Sequence, residues 1–256
     1  RSLRSRSVSQ GTSHTDGPVS RRAHLWLLVG LTLWAFALMS WRLDAKSLWW
    51  DESLSLYRAQ QSLAGILSGR IDFAGIETVD QHPPFYFALL KIAVALGGEN
   101  DLALRLPSVA FGTLLTPLLY ALGRRLRNAQ TGLFAAALGA NSPFFLWYAQ
   151  EARMYTQVTA LSLLATYALW VALCERRWNW GVVCALALAA AITTHYLALL
   201  LLPFYLGLAL ALWPARRLSA TSQIARRQTA ARWICALAVL AFGMALVIVL
   251  GRLPGL

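Results

Sequence analysis

Asp51 and Glu52 stand side by side, directly after Trp49-Trp50, in a chain that has only 11 acidic residues among 256. A carboxylate held beside tryptophans at a lipid interface is partly desolvated, its pKa rises, and it then suits general-base chemistry. His82-Pro83-Pro84 follows: a histidine aimed by a rigid turn can donate to a phosphate, or bind a metal with Asp51 or Glu52. Further on, Gln150-Glu151-Ala152-Arg153-Met154-Tyr155 adds an acid and a guanidinium whose fork matches phosphate oxygens. His195-Tyr196 completes the set of groups able to meet a substrate.

Each group also has a plain structural reading. Asp51 can cap the N-terminus of an amphipathic helix running through SLSLYRAQQSLAGIL, where its charge meets free N–H groups. Proline at a first helical position is ordinary. Glu151 and Arg153 can form an interfacial ion pair below an aromatic belt of Trp147 and Tyr148. His82, His195 and Tyr196 can be surface residues and no more.

What must position these groups is a membrane. The chain is 58% hydrophobic and 13% charged, with a mean hydropathy of +0.53, whereas a soluble domain carries about a quarter charged residues. Apolar runs recur at 24–41, 106–123, 131–149, 156–174, 180–194, 197–213 and 232–251, each near the length of a helical span. They are continuous and rich in Leu and Ala, without the alternation of barrel strands. The fold class expected is an all-α polytopic membrane protein of about seven spans. The break between 180–194 and 197–213 is placed at Thr194-His195-Tyr196, since the two together are too long for one crossing.

Charge orients the spans. The stretch 83–97 is too short to cross and carries Lys91, so it is read as an amphipathic helix lying in the interface. The segments 1–23, 124–130, 175–179 and 214–232 then share one side and hold 15 of the 23 Lys and Arg, against Asp16 and Glu175 alone. The positive-inside rule makes that side cytoplasmic. Asp51, Glu52, His82, Glu151, Arg153, His195 and Tyr196 all fall on the opposite, external face. The net charge of +12 is thereby explained by cytoplasmic loops, with no nucleic-acid partner.

Residues 1–23 read as a disordered basic cytoplasmic tail, and 24–256 as one transmembrane module with an external loop at 42–105. Residues 25–41 are long enough to stay as an anchor, and no small-x-small cleavage site follows. Cys174, Cys184 and Cys235 lack CxxC spacing and read as small core residues. The chain starts at Arg1 and stops just after an apolar run, so it is expected to be a fragment. No P-loop, GxGxxG, GxSxG or HExxH occurs. The rival reading is a polytopic transporter or lipid flippase, but the runs carry little charge away from their ends and show no internal repeat.

The motifs WWDES, QHPPFYFALL, ENDLALRLPSVAFGTLLTPLLYALGRRL, SPFFLWYAQEARMYTQ and THYLALLL, in this order, resemble bacterial membrane glycosyltransferases of the GT-C superfamily. The nearest type is the family 39 protein mannosyltransferases, with relatives that transfer aminoarabinose or galacturonate to lipid A. The resemblance covers about residues 24–213. It implies a polyprenyl-phosphate sugar as donor, an acceptor glycan, lipid or protein, and an extracytoplasmic site in the bacterial cytoplasmic membrane. It makes Asp51 the base or acceptor-orienting acid, Glu52 its companion and Glu151 the second acidic motif. His82 stands where lipid A-modifying relatives carry the basic residue of a KPP motif toward the donor phosphate. Arg153 is placed with it, and Tyr155, His195 and Tyr196 are expected substrate contacts. A divalent metal is left open.

Overall fold

The structure is a computed structural model that describes residues 18–73 and 75–212. The expected tail up to residue 17, the run at 232–251 and Cys235 lie outside those residues. Helix α1 (Pro18–Ser40) starts inside the segment read as tail, so residues 18–23 are helical. It leads to the loop carrying Trp49, then α2 (Trp50–Gln60), α3 (Leu63–Ser68), a hairpin of β1 (Arg70–Phe73) and β2 (Ile76–Val79), and α4 (Phe85–Gly97). Helices α5 (Asp101–Leu126), α6 (Ala129–Ala140), α7 (Pro143–Ala149), α8 (Tyr155–Cys174) and α9 (Asn179–Ile192) follow. A 3-10 turn at Tyr196–Leu200 then runs into α10 (Leu201–Leu212).

The described chain is mostly helical, as expected, with one departure. The antiparallel hairpin pairs Arg70 with Val79 and Ile71 with Thr78 in the first loop. Gly75, at φ +80, lies in its turn, where a positive φ favours glycine.

Among the described residues, three helices are long and apolar enough to cross a membrane: Arg21–Ser40 within α1, α5 and α8. Phe85–Gly97, Ala129–Ala140, Asn179–Ile192 and Tyr196–Ala209 are apolar but shorter. The run read as one span at 131–149 is two helices. Pro143 cannot continue the hydrogen-bond ladder, and Ser142 caps α7 by accepting from the Phe145 N–H at 3.4 Å. The expected break at Thr194-His195-Tyr196 is present, between α9 and the 3-10 turn.

Helix α5 is the spine, packed against α1, α4, α6, α7 and α8. Small residues let it approach α6 closely: a Cβ built on Gly123 would stand 2.9 Å from the Gly132 Cα. Lys91, the one charge in α4, turns inward and donates to the Ala59 and Gln61 carbonyls at 3.3 and 2.8 Å. It thereby satisfies acceptors at the C-terminal end of α2. Beneath the loop, Ala59, Ile66, Tyr86, Phe87, Leu90, Leu104, Ala152 and Met154 form one buried apolar cluster that joins α2, α3, α4, α5 and the 150–154 turn.

Candidate active site

The site begins with how α2 starts. Trp49, extended at φ −90, is the N-cap, so Asp51 is the second helical residue rather than the cap expected. Glu52, one position further, reaches back to the Trp49 N–H at 3.4 Å, as an acid at that position does in a capping box. Both carboxylates lie in the first turn, where the helix dipole favours them.

Glu52 is then consumed by structure. Its Oε1 accepts from Arg105 Nε at 2.9 Å and from the Ala152 N–H at 2.8 Å, and its Oε2 accepts from Arg105 Nη2 at 2.9 Å. With Trp49, each oxygen has two donors, which fills the carboxylate's lone-pair sites. Burial alone would raise its pKa, but the Arg105 and Ala152 hydrogen bonds outweigh that and hold it below the ordinary carboxylate value. The same guanidinium donates to the Leu43 and Lys46 carbonyls, which pins the loop between α1 and α2.

Asp51 is differently placed. Its side chain keeps 35% exposure, and its Oδ2 lies 3.8 Å from Nη2 of Arg153, which is only 4% exposed. Arg153 is positioned through its backbone: Ser108 Oγ donates to its carbonyl at 2.9 Å, and Thr156 Oγ1 donates to the Ser108 carbonyl at 2.8 Å. The guanidinium itself is loosely held, 3.4 Å from the Asp51 carbonyl and from Ser55 Oγ, with its Nε lacking a partner among the described residues. A buried cation so poorly satisfied fits an incoming anion.

Two cavities flank the start of α2. The larger, about 810 Å³, is lined by Trp50, Leu54, Tyr57, Asp80, His82, His195 and Tyr196 among others. The smaller, about 400 Å³, is lined by Trp49, Glu52, Trp147, Tyr148, Glu151 and Tyr155 among others. Asp51 lines neither cavity; its carboxylate lies on the side of α2 that faces Arg153. The Tyr155 ring, on the smaller cavity, and the His195 ring, on the larger, have centroids 6.4 Å apart. Glu151 opens to the smaller cavity; burial, then the charges of Glu52 and Asp51, raise its pKa against the opposing Trp147 side chain and Arg153.

The His82 and His195 rings lie 5.9 Å apart on the wall of the larger cavity. Their segments are tied: the Phe85 N–H donates to the Thr193 carbonyl at 3.0 Å, and Gln157 Nε2 donates to Thr194 Oγ1 at 3.0 Å. His195 Nδ1 accepts the Leu197 N–H at 3.2 Å, which leaves Nε2 to carry the proton. Burial first, then His82 and Arg153, lower its pKa and keep it neutral.

The structure thus brings His82, His195 and Tyr196 to the larger cavity and Glu151 and Tyr155 to the smaller, while Asp51 and Arg153 face each other and line neither. It does not gather Asp51, Glu52 and His82 into a metal-ligand set, because Glu52 is turned to Arg105. Among the described residues, no group of three or more His, Cys, Asp or Glu is placed to hold a metal ion. Two groups were missed. Arg105 fell just outside the expected span starting at 106, although a lone base between Leu104 and Leu106 was a signal of buried pairing. Asp80 carried no pattern of its own.

Among the described residues, acid and imidazole groups thus line two cavities beside the Asp51–Arg153 pair, in a fold with three helices long and apolar enough to cross a membrane. Residues 81–240 match the sequence model of the family described as dolichyl-phosphate-mannose-protein mannosyltransferase, and the chain belongs to that GT-C family of glycosyltransferases. No curated protein sequence matches the chain.

Proposed function

We propose that this protein transfers a sugar from a polyprenyl-phosphate donor to an acceptor hydroxyl on the extracytoplasmic face of a bacterial cytoplasmic membrane, as family 39 enzymes do. The observation that carries the reading is Asp51: a part-exposed carboxylate at the start of α2, the helix the two cavities flank, beside a buried and under-satisfied Arg153. The mostly apolar larger cavity, with two histidines on its wall, suits a lipid phosphate. The smaller cavity, with aromatic rings and Glu151, suits the acceptor.

In the reaction, the acceptor oxygen attacks the anomeric carbon while its proton passes to the Asp51 carboxylate. The bond from the anomeric carbon to the phosphate oxygen breaks, its electron pair leaves with the polyprenyl phosphate, and the anomeric centre inverts. His82 and Arg153 offset the charge that develops on that phosphate. Glu52 supports the site by holding the loop, and Glu151 supports it from the acceptor side. Tyr155, His195 and Tyr196 contact substrate.

The test is transfer of label from a polyprenyl-phosphate sugar by the full-length protein in lipid nanodiscs. Transfer that needs Asp51 supports the reading. Translocation of the lipid across the bilayer without transfer would replace it with the flippase reading.

A further inference from the structure

We infer that Asp80, anchored by Arg58, is a positioning residue for His82 that commits the ring's Nδ1 edge and turns its Nε2 edge to the donor phosphate; this rests on the donor reading above.

The arrangement is built from the backbone outward. Asp80 Oδ1 accepts both the His82 N–H at 3.0 Å and the His82 ring Nδ1–H at 2.6 Å. Its other oxygen accepts from Arg58 Nη1 at 2.6 Å. Arg58 is 1% exposed and itself fixed: Nη2 donates to the Ile66 carbonyl at 3.0 Å, and the guanidinium lies over the Phe87 ring at 4.1 Å. Neither the base of the device nor its carboxylate is free to turn.

Asp80's own backbone is held too. Its N–H donates to the Gly69 carbonyl at 2.8 Å. Gly69 sits at φ +67, and a Cβ there would stand 2.5 Å from the Asp80 carbonyl oxygen. Only glycine allows that approach.

The proton assignment follows from charge. Burial opposes ionisation of Asp80, but hydrogen bonds from the His82 ring, the His82 N–H and Arg58 outweigh it and hold the carboxyl far below its ordinary range. An ionised carboxylate only accepts, so His82 Nδ1 must donate. A carboxylate that fixes an imidazole's orientation and stabilises its cation is the orienting member of a catalytic triad in another setting. Here the oriented residue, His82, lines the larger cavity beside His195 and Tyr196, and with Nδ1 bonded to Asp80 it is Nε2 that remains for a ligand.

The experiment measures the affinity of the purified full chain in nanodiscs for a short-chain polyprenyl phosphate, with the uncharged polyprenol as control, alongside thermal midpoints. His82→Gln should weaken phosphate binding about tenfold. Asp80→Asn should weaken it several-fold, and the double variant should bind no worse than His82→Gln, since both changes remove one function. Asp80→Glu keeps the charge on Arg58 and should recover affinity to within about threefold of wild type. With a donor sugar, Asp80→Asn should raise donor KM more than it lowers kcat. An Asp80→Asn chain with wild-type affinity, an Asp80→Glu chain that binds no better than Asp80→Asn, or losses that multiply in the double variant, would overturn the inference while leaving the donor reading in place. Equal binding of phosphate and polyprenol by wild type would overturn both.

Discussion

Glu52 and Arg105 face each other as two parallel hydrogen bonds of 2.9 Å, with both side chains no more than 3% exposed. The acid that sequence pairs with Asp51 is therefore bonded away from it, and adjacent carboxylates have separate duties. Removing either partner strands a buried charge. Arg105→Met or Glu52→Gln should destabilise the protein by about 3–5 kcal/mol, read as a lower thermal midpoint in nanodiscs.

The same pair predicts a pH dependence. Glu52 has a folded pKa below its unfolded value, so its contribution is complete above about pH 4.3 and is lost as pH falls through the folded value. Thermal midpoints of wild type should drop across that acid window. In Arg105→Met the drop should be smaller, because the partner that stabilises the ionised form is gone.

Asp51→Asn should behave in the opposite sense to Glu52→Gln. The side chain is part-exposed and its ion pair is long, so the thermal midpoint should hold. Turnover should fall by about a hundredfold or more, the usual size of a general-base contribution. Undiminished turnover would remove Asp51 from that role.

Glu151→Gln tests the second acid. Its raised folded pKa means that the ionised form is disfavoured by folding, at every pH above the ordinary carboxylate value. The amide should therefore raise the thermal midpoint slightly at neutral pH. If transfer uses the ionised group, wild-type rate should climb with pH through a value above the ordinary carboxylate range, and that limb should vanish in Glu151→Gln.

Gly69→Ala tests the backbone under His82. Positive φ alone costs about 1–2 kcal/mol for a residue with a Cβ, and the Asp80 carbonyl must also shift. Thermal stability and polyprenyl-phosphate affinity should fall together, whereas alanine at Gly75, whose Cβ meets nothing within 4 Å, should lower stability only.

What could be read beforehand followed from composition and spacing. Acids are scarce in this chain, so Asp51 and Glu151 stood out by position, and the helix break at Thr194-His195 followed from length. Lys91 gave the length argument its support, yet its true partners, two carbonyls at the end of α2, depend on how α4 lies over the loop. The duties of Glu52 and Asp80 were not legible for the same reason. A carboxylate's partner is chosen by tertiary placement, and Arg105 and Arg58 lie 53 and 22 residues away in sequence. The hairpin was written in the alternation around Gly75, but too briefly to compete with the surrounding apolar runs.

The hydrogen bond from the Ala152 N–H to Glu52 spans 100 residues of chain. In the order of synthesis, α2 is made long before the turn that completes its acid's coordination. The first loop's carboxylate therefore lacks its Arg105 donors until α5 is made and its Ala152 donor until the turn after α7 is made. Assembly of this region is thus a late event, and a nascent chain that stops short of residue 152 carries Asp51 without the Arg153 that faces it.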